Sequence, residues 1–331
     1  MATKVQSQVR KRLLDAFTKS NGEFLSGQYL ADLLGCSRTA IWKHMEDLRN
    51  EGFELEAIRR KGYRIVSVPE KITSNEIQLG LTTKRLGRQI HYEESVSSTQ
   101  KIALQMSFDG APEGTIVIAE EQTSGRGRMN REWHSAKFSG IWMSIILRPD
   151  LLPKDAPQLT LITAVAIVQA IEEVTTLLPQ IKWPNDILVN GKKVTGILTE
   201  LQAESDRINS VIIGIGMNVN QESNSFPDEI ASIATSLFIE SGKKVNRAKL
   251  IQVVLTKLEY LYDLYLQEGF YPIKLLWESY AVSIGKMINA RMLKETIKGK
   301  ALGITDDGVL MLEDDSGKIH YIYSADIELQ N

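Results

Sequence analysis

The sequence predicts a multidomain α+β protein: a small helical module ending in a hairpin, a mixed α/β body, and a short all-β module at the C-terminal end. Three observations predict it. Up to Asn50, apolar residues recur at helical spacing in three short runs separated by Asn-Gly and Gly-Cys-Ser turns. From Ile77 to about Tyr280, helical patterns alternate with short strand-like runs. After Gly285 only short alternating runs remain, divided by Asp306-Asp307-Gly308 and Asp315-Ser316-Gly317.

The elements follow in order. Val9, Leu13, Leu14 and Phe17 mark a first helix, which Asn21-Gly22 ends. Ser26 caps a second helix, Gly27 to Leu34, and Gly35-Cys36-Ser37 makes the turn. Ser37 caps a third helix, Arg38 to Asn50, with Ile41, Met45 and Leu48 inward and Thr39, Trp42 and Lys43 outward. After Gly52, segments 53–58 and 62–66 alternate as a hairpin with Arg59-Arg60-Lys61 at its tip. This is the pattern of a winged helix-turn-helix over residues 1–68. Its third helix would enter a DNA major groove through Ser37, Arg38, Thr39, Trp42 and Lys43, and Arg59, Arg60 and Lys61 would touch phosphate. The competing reading of the module is a small helical protein-interaction domain; for Trp42 itself, half-burial against the wing is the alternative to base contact. Charge favours DNA: residues 1–66 carry twelve basic and eight acidic side chains, a net +4 in a chain of net −2.

Pro69 to Thr73 reads as a linker, opening a body at 69–282. Its strand candidates are 90–94, 115–121, 140–147, 187–189, 193–201 and 210–217, and its helix candidates 98–107, 159–175 and 247–267. Strands at 286–291, 297–305, 309–313 and 319–323 build the last module, 283–331. The most apolar stretch, Leu159–Ile171, is interrupted by Thr160, Thr163 and Gln169; it reads as a buried helix, too short to span a membrane. The N-terminus shows no apolar signal region. The single cysteine, Cys36, excludes an internal disulfide framework and fits a reducing cytoplasm; its expected role is a small buried residue. The four histidines are scattered, so no structural zinc site is expected, and any metal is expected to be Mg2+ carried with a nucleotide.

Two segments carry chemistry. Gln122 to Trp133 reads QTSGRGRMNREW, three arginines and an indole on a flexible glycine loop, a composition suited to a phosphate-bearing ligand. Lys182 to Glu200 reads KWPNDILVNGKKVTGILTE, in which Asn190-Gly191 between apolar runs predicts a tight hairpin. Strict alternation along its second strand puts Lys193 on one face with Thr195 and Ile197, opposite Val194 and Gly196. Neither Gly191-Lys192 nor Gly214-Ile215-Gly216 completes a mononucleotide or dinucleotide fingerprint.

The ordered set Gly125-Arg126-Gly127-Arg128, Lys182-Trp183-Pro184-Asn185-Asp186, Gly191 to Leu198 and Gly214 to Asn218 resembles the bacterial biotin–protein ligases. With the winged helix, the resemblance is to the bifunctional type that also represses the biotin operon, and it covers essentially the whole chain. It implies a biotin-ligase catalytic domain, an SH3-like C-terminal β-barrel, and biotin and ATP as substrates with Mg2+. It further implies a biotin carboxyl carrier protein of acetyl-CoA carboxylase as acceptor, operator DNA, and a homodimer promoted by biotinyl-5'-AMP. Carried over residue by residue, Lys193, Arg126 and Arg128 are the catalytic candidates. Ser98, Thr99, Gln100, Gln122, Gly127, Gly196, Gly214 and Gly216 join them around biotin. Arg131, Trp133, Lys182, Asn185 and Asn218 are the nucleotide side, and Asp186 is a candidate for positioning Mg2+. A structural turn is the alternative for Asn185, an N-cap for Ser98 and a hinge-packing aromatic for Trp133. This chain departs from its relatives at Gln100, where they carry Asn, and at Met129-Asn130, where some carry Arg-Gly. The competing functional readings are a lipoate-type ligase and a non-enzymatic biotin-sensing regulator.

Overall fold

The computed structural model describes residues 2–50, 53–67, 72–204 and 207–329. The chain divides into two compact units, Met1–Leu81 and Thr82–Asn331. The expected boundary at 68/69 and linker residues 69–71 lie outside the described residues, as does Gly52.

The first unit holds α1 (Ala2–Lys19), α2 (Gly27–Leu34), α3 (Arg38–Asn50), β1 (Glu54–Ile58), β2 (Gly62–Ser67) and α4 (Ser74–Gln78). Its helix ends are set locally. Ser26 accepts from the Tyr29 N–H at 3.0 Å and Ser37 from the Ala40 N–H at 3.1 Å, while Gly35 closes α2 at φ 65°. Leu13, Leu14, Leu30, Ile41, Met45 and Leu48 meet in one core, and Cys36 packs on it half-buried, less enclosed than its residue type suggested. Leu25 and Tyr63 exchange backbone hydrogen bonds of 2.8 and 2.9 Å, tying the wing to the loop before α2. Thr73 accepts from the Glu76 N–H at 3.2 Å and caps α4. The sequence reading passed over α4, although Thr-Ser-Asn-Glu is a capping-box pattern.

The second unit runs β3 (Ile90–Val96), α5 (Thr99–Phe108), β4 (Ile116–Gln122), β5 (Gly140–Leu147), α6 (Ala156–Val174), β6 (Gln180–Lys182), β7 (Asp186–Val189), β8 (Lys192–Ala203) and β9 (Ile208–Asn218). It continues with α7 (Asp228–Ala231), α8 (Leu237–Ser241), α9 (Arg247–Glu268), α10 (Tyr271–Tyr280), β10 (Met287–Arg291), β11 (Thr296–Ile304), β12 (Leu310–Glu313), β13 (Ile319–Ile322) and β14 (Asp326–Leu329). A seven-stranded sheet has the order β3-β4-β5-β9-β8-β7-β6, with only β3 and β4 parallel, joined through α5. The last strands form a five-stranded antiparallel sheet, β13-β12-β11-β10-β14. β6, β14 and α10 were not foreseen. The strands are too short to show alternation, whereas α10 carries Pro272 in its first turn and buried Ile273 and Trp277 four apart.

Segment Pro153–Val174 is long and apolar enough to cross a membrane, at mean hydropathy 1.2, and so longer than the sequence reading allowed. Here it is a core helix. α6 packs on α9 and α10 and meets the sheet at β8, where the Thr160 and Thr199 hydroxyls lie 2.7 Å apart. α9 also anchors the segment before β3. The Glu259 carboxylate accepts the N–H groups of Lys84, Arg85 and Leu86 at 2.5, 2.8 and 2.9 Å. Burial pushes this carboxyl up, but the three N–H groups together hold it below its ordinary value. A depressed carboxylate stabilises the fold above its unfolded pKa, and that stabilisation is lost as pH falls through the folded value. Glu259→Gln is therefore expected to destabilise the unit by about 1–2 kcal/mol at pH 7. Urea titrations should show the difference shrinking below about pH 4.

Candidate active site

Three glycines clear the middle of the large sheet. In the ladders Gly216 lies opposite both Trp142 and Gly196, and Gly214 opposite both Ser144 and Leu198. Directly opposed residues share a face, so Gly196, Gly214 and Gly216 form one bare floor. A Cβ at Gly214 would sit 2.6 Å from Gln100 Oε1, and one at Gly216 2.4 Å from Trp133 Nε1. Above the floor lies a cavity of about 520 Å3, within the range of small-molecule sites.

The start of α5 forms one wall. Ser98, at the N-cap, Thr99 and Gln100 are all buried, and Ser98 makes no side-chain cap hydrogen bond. The Thr99 N–H and hydroxyl donate to Gln122 Oε1 at 2.9 and 3.1 Å, and Gln122 Nε2 donates to Ser135 Oγ at 2.9 Å. Gln100 Oε1 accepts from Ser144 Oγ at 3.0 Å, while its Nε2 donates to the Ile212 carbonyl at 3.1 Å. Gln100 and Gln122 therefore line the pocket with amides already engaged inside the protein.

Lys193 corrects the alternation argument. Ile187 pairs with Thr195 but Leu188 pairs with Lys193, so Val194 is a bulge residue with no partner of its own. One extra residue reverses the parity of everything before it. Lys193 thus joins Gly196, Leu188 and Asp186 on the pocket face, while Thr195 and Ile197 turn to the buried side. Its Nζ lies 2.6 Å from Asp186 Oδ1 and 5.3 Å from the centre of the Trp133 ring. Lys182 stands opposite Asp186 in the ladder.

The glycine loop arches over this floor. The Trp133 N–H donates to the Gly125 carbonyl at 3.0 Å and the Gly127 N–H to the Arg131 carbonyl at 2.8 Å. Met129 and Asn130 both take φ of 56°, a left-handed pair that Asn tolerates better than Met. The Trp133 indole rests on Gly196 and Gly216, with its Nε1 buried and without a partner. Arg126 is exposed and has no ion pair or side-chain hydrogen bond among the described residues. Arg128 donates to Asn185 Oδ1 at 3.1 Å and Ser324 Oγ at 2.8 Å, and burial pushes its guanidinium pKa down. Arg131, expected toward nucleotide, is exposed and paired with Asp326.

Asn185 ties two strands together: its Nδ2 donates to the Ile197 carbonyl at 2.8 Å, and its own carbonyl accepts the Ile197 N–H at 2.9 Å. Asn218 is buried at the rim, accepting from Gln221 at 3.2 Å. The sequence reading missed the wall from Phe226 to Ala234, where the Lys193 N–H donates to the Ile233 carbonyl at 2.8 Å. Its signal was apolar Phe226, Ile230 and Ile233 in a stretch assigned to no element. Among the described residues, no group of three or more His, Cys, Asp or Glu side chains is placed to hold a metal ion. In the first unit, Arg38, Thr39, Trp42 and Lys43 are exposed on α3, as are Arg59, Arg60 and Lys61 at the wing tip. Trp42 is 53% exposed. Ser37 is exposed too, with its hydroxyl capping α3.

A glycine-floored pocket lined by cationic side chains, on a chain that also carries a winged helix-turn-helix, has the make-up of a binder of anionic small ligands joined to a DNA-binding type of module. Residues 92–218 match the Biotin/lipoate A/B protein ligase family, 9–64 an HTH domain, and 283–330 the Biotin protein ligase C terminal domain. The bifunctional ligase/repressor BirA of Bacillus spizizenii is 57% identical over 98% of this chain and 100% of its own length. That of Escherichia coli is 28% identical over 89% and 90%. The biotin protein ligase from Aquifex aeolicus, solved in complex with biotin and ATP, superposes with a TM-score of 0.64 at 30% identity, covering 73% of this chain and 99% of that one. The chain belongs to the biotin protein ligases, within the bifunctional ligase/repressor group.

Proposed function

We propose that this protein is an ATP-dependent biotin–protein ligase and a biotin-responsive transcriptional repressor. As a ligase it forms biotinyl-5'-AMP and transfers biotin to a lysine of the biotin carboxyl carrier protein of acetyl-CoA carboxylase. As a repressor it acts on biotin synthesis and transport genes, with biotinyl-5'-AMP as corepressor. The observation that carries the reading is Lys193 beside a bare glycine floor, in a cavity of about 520 Å3 with Arg126 at its mouth. Activation brings two anions together, the biotin carboxylate and the α-phosphate. Placed cations that meet charge as it grows supply most of the assistance such a step needs.

In this reading Lys193 bridges carboxylate and α-phosphate oxygens, and Arg126 and Arg128 stand on the anionic side. Ser98, Thr99 and the backbone at Gly127, Gly196, Gly214 and Gly216 surround biotin, with Gln100 and Gln122 shaping that wall. Trp133 stacks on adenine, and the orphaned Nε1 fits an indole that shifts to admit ligand. Lys182, Asn185 and Asn218 lie toward nucleotide. Any Mg2+ would be carried by the nucleotide phosphates, since among the described residues no acidic cluster would hold it alone; Asp186 is the carboxylate that would help position it. Residues 283–331 are read as an SH3-like barrel and 69–282 as the catalytic domain. The reading includes a cytoplasmic location and a homodimer, promoted by biotinyl-5'-AMP, that sets two recognition helices on two operator half-sites.

The test is transfer of radiolabelled biotin to a purified biotin carboxyl carrier domain with and without Mg-ATP. Labelling that requires ATP and ignores excess lipoate supports the biotin ligase; labelling displaced by lipoate would favour the lipoate-type reading. Absence of labelling would leave a non-enzymatic biotin sensor. Operator binding that ignores biotin and ATP would sink the corepressor role.

A further inference from the structure

We infer that Ser324, between β13 and β14, and Asp326, at the start of β14, are positioning residues for the nucleotide step, holding the tip of the cationic loop over the pocket. The inference rests on the ligase reading above. It reassigns Arg131 from ligand contact to anchor.

The loop needs such an anchor. Its two sides are joined at the base, by the Gly125–Trp133 hydrogen bond and the bridge between Arg126 and Glu132. Its tip, residues 128–130, is a single tight turn with two non-glycine residues in the left-handed region. Met129 at that tip is 58% exposed, so apolar burial does not hold it. Among the described residues, side-chain ties from the tip and from Arg131 just after it run to three residues, Asn185, Ser324 and Asp326. Arg128 reaches Asn185 and Ser324, at 3.1 and 2.8 Å. Arg131 reaches Asp326 with both terminal nitrogens, Nη1 to Oδ1 at 3.2 Å and Nη2 to Oδ2. A two-pronged guanidinium–carboxylate contact fixes orientation as well as distance.

The mount is rigid. Asp326 opens β14 and pairs with Arg291 of β10, and its neighbours Ala325 and Ile327 are buried. The Arg131 hydrogen bonds chiefly hold the Asp326 carboxyl below the usual carboxylate range, with Arg128 and Lys182 adding to the effect. It is therefore charged at assay pH. A bare carboxylate this close to a phosphate path would repel nucleotide; pairing with Arg131 neutralises it. An exposed ion pair contributes little to stability, so the contact belongs to loop geometry.

The test is biotin-dependent ATP–pyrophosphate exchange by the full chain, with KM for ATP and for biotin measured separately. Asp326→Ala and Arg131→Ala are each expected to raise KM for ATP on the order of tenfold, because small misplacement of charged groups is costly in phosphoryl chemistry. KM for biotin and the melting temperature should stay unchanged. The charge exchange Arg131→Asp with Asp326→Arg should recover most of the loss, and Asp326→Asn should fall between. Unchanged KM for ATP in both single variants would overturn the inference. So would a parallel rise in both KM values, or a charge exchange no better than either single. Wild type without biotin-dependent exchange would sink the ligase reading and this inference together; active wild type with unaffected variants sinks the inference alone.

Discussion

Lys193→Ala is expected to slow biotinyl-adenylate formation by roughly 10²–10³, equivalent to about 2.7–4 kcal/mol of transition-state stabilisation. The reason lies in placement. The bulge at Val194 turns this ammonium onto the glycine floor, and its Nζ stands 2.6 Å from Asp186. Removing it takes away a cation and also the ammonium paired with Asp186 beside two anionic substrates. Lys193→Arg should recover only part, because the guanidinium is broader and meets Asp186 with different geometry. Lys192→Ala should leave the rate unchanged, since that side chain is exposed and lies one residue off the pocket face. Single-turnover adenylate formation at saturating ATP and biotin is the measurement. A Lys193→Ala rate equal to wild type would remove Lys193 from the chemistry.

Arg247→Met is expected to destabilise the second unit by about 3–5 kcal/mol, because it strips a buried carboxylate of its guanidinium. Arg247 Nη1 donates to Glu120 Oε2 at 2.8 Å and to the Gly140 carbonyl at 2.9 Å. The two side chains are 3% and 0% exposed. The Tyr92 phenol is pushed up to about 12, first by burial and then by Glu120. The pair fastens the first turn of α9 to the ends of β4 and β5, two residues before Gln122. Replacing both partners, as Arg247→Met with Glu120→Gln, should restore much of the stability, since neither desolvated charge then remains. Urea unfolding of the two variants checks this; a single-variant cost below about 1 kcal/mol would mean the pair is solvated in solution.

Much of the first unit was legible from sequence. α2 begins and ends where Ser26 and Gly35 place it, and α3 begins at Ser37, because capping is a contact between residues three or four apart. β5 was equally plain, eight apolar or small residues all buried on both faces. The candidate site was legible as residue types. The glycine–arginine loop, the hairpin lysine and the paired glycines of β9 do line one cavity. The face that Lys193 presents was not legible, since a bulge obeys no local spacing rule. Nor was the wall from Phe226 to Ala234, whose short helix and turns are held by Lys193 backbone contacts about forty residues earlier in the chain.

By itself the sequence determined the limits of α2 and the start of α3, the turn at Asn190-Gly191, and which side chains can meet an anion. Each depends on backbone freedom or hydrogen bonding within a few residues. The tertiary structure alone decided which cations remain available. Arg126, Arg128 and Arg131 read alike in one flexible segment. Asp326 and Ser324, nearly two hundred residues further on, engage two of them and leave the third. A guanidinium's role is set by the charges within a few ångströms, and in this chain the fold, not the local sequence, brings those charges together.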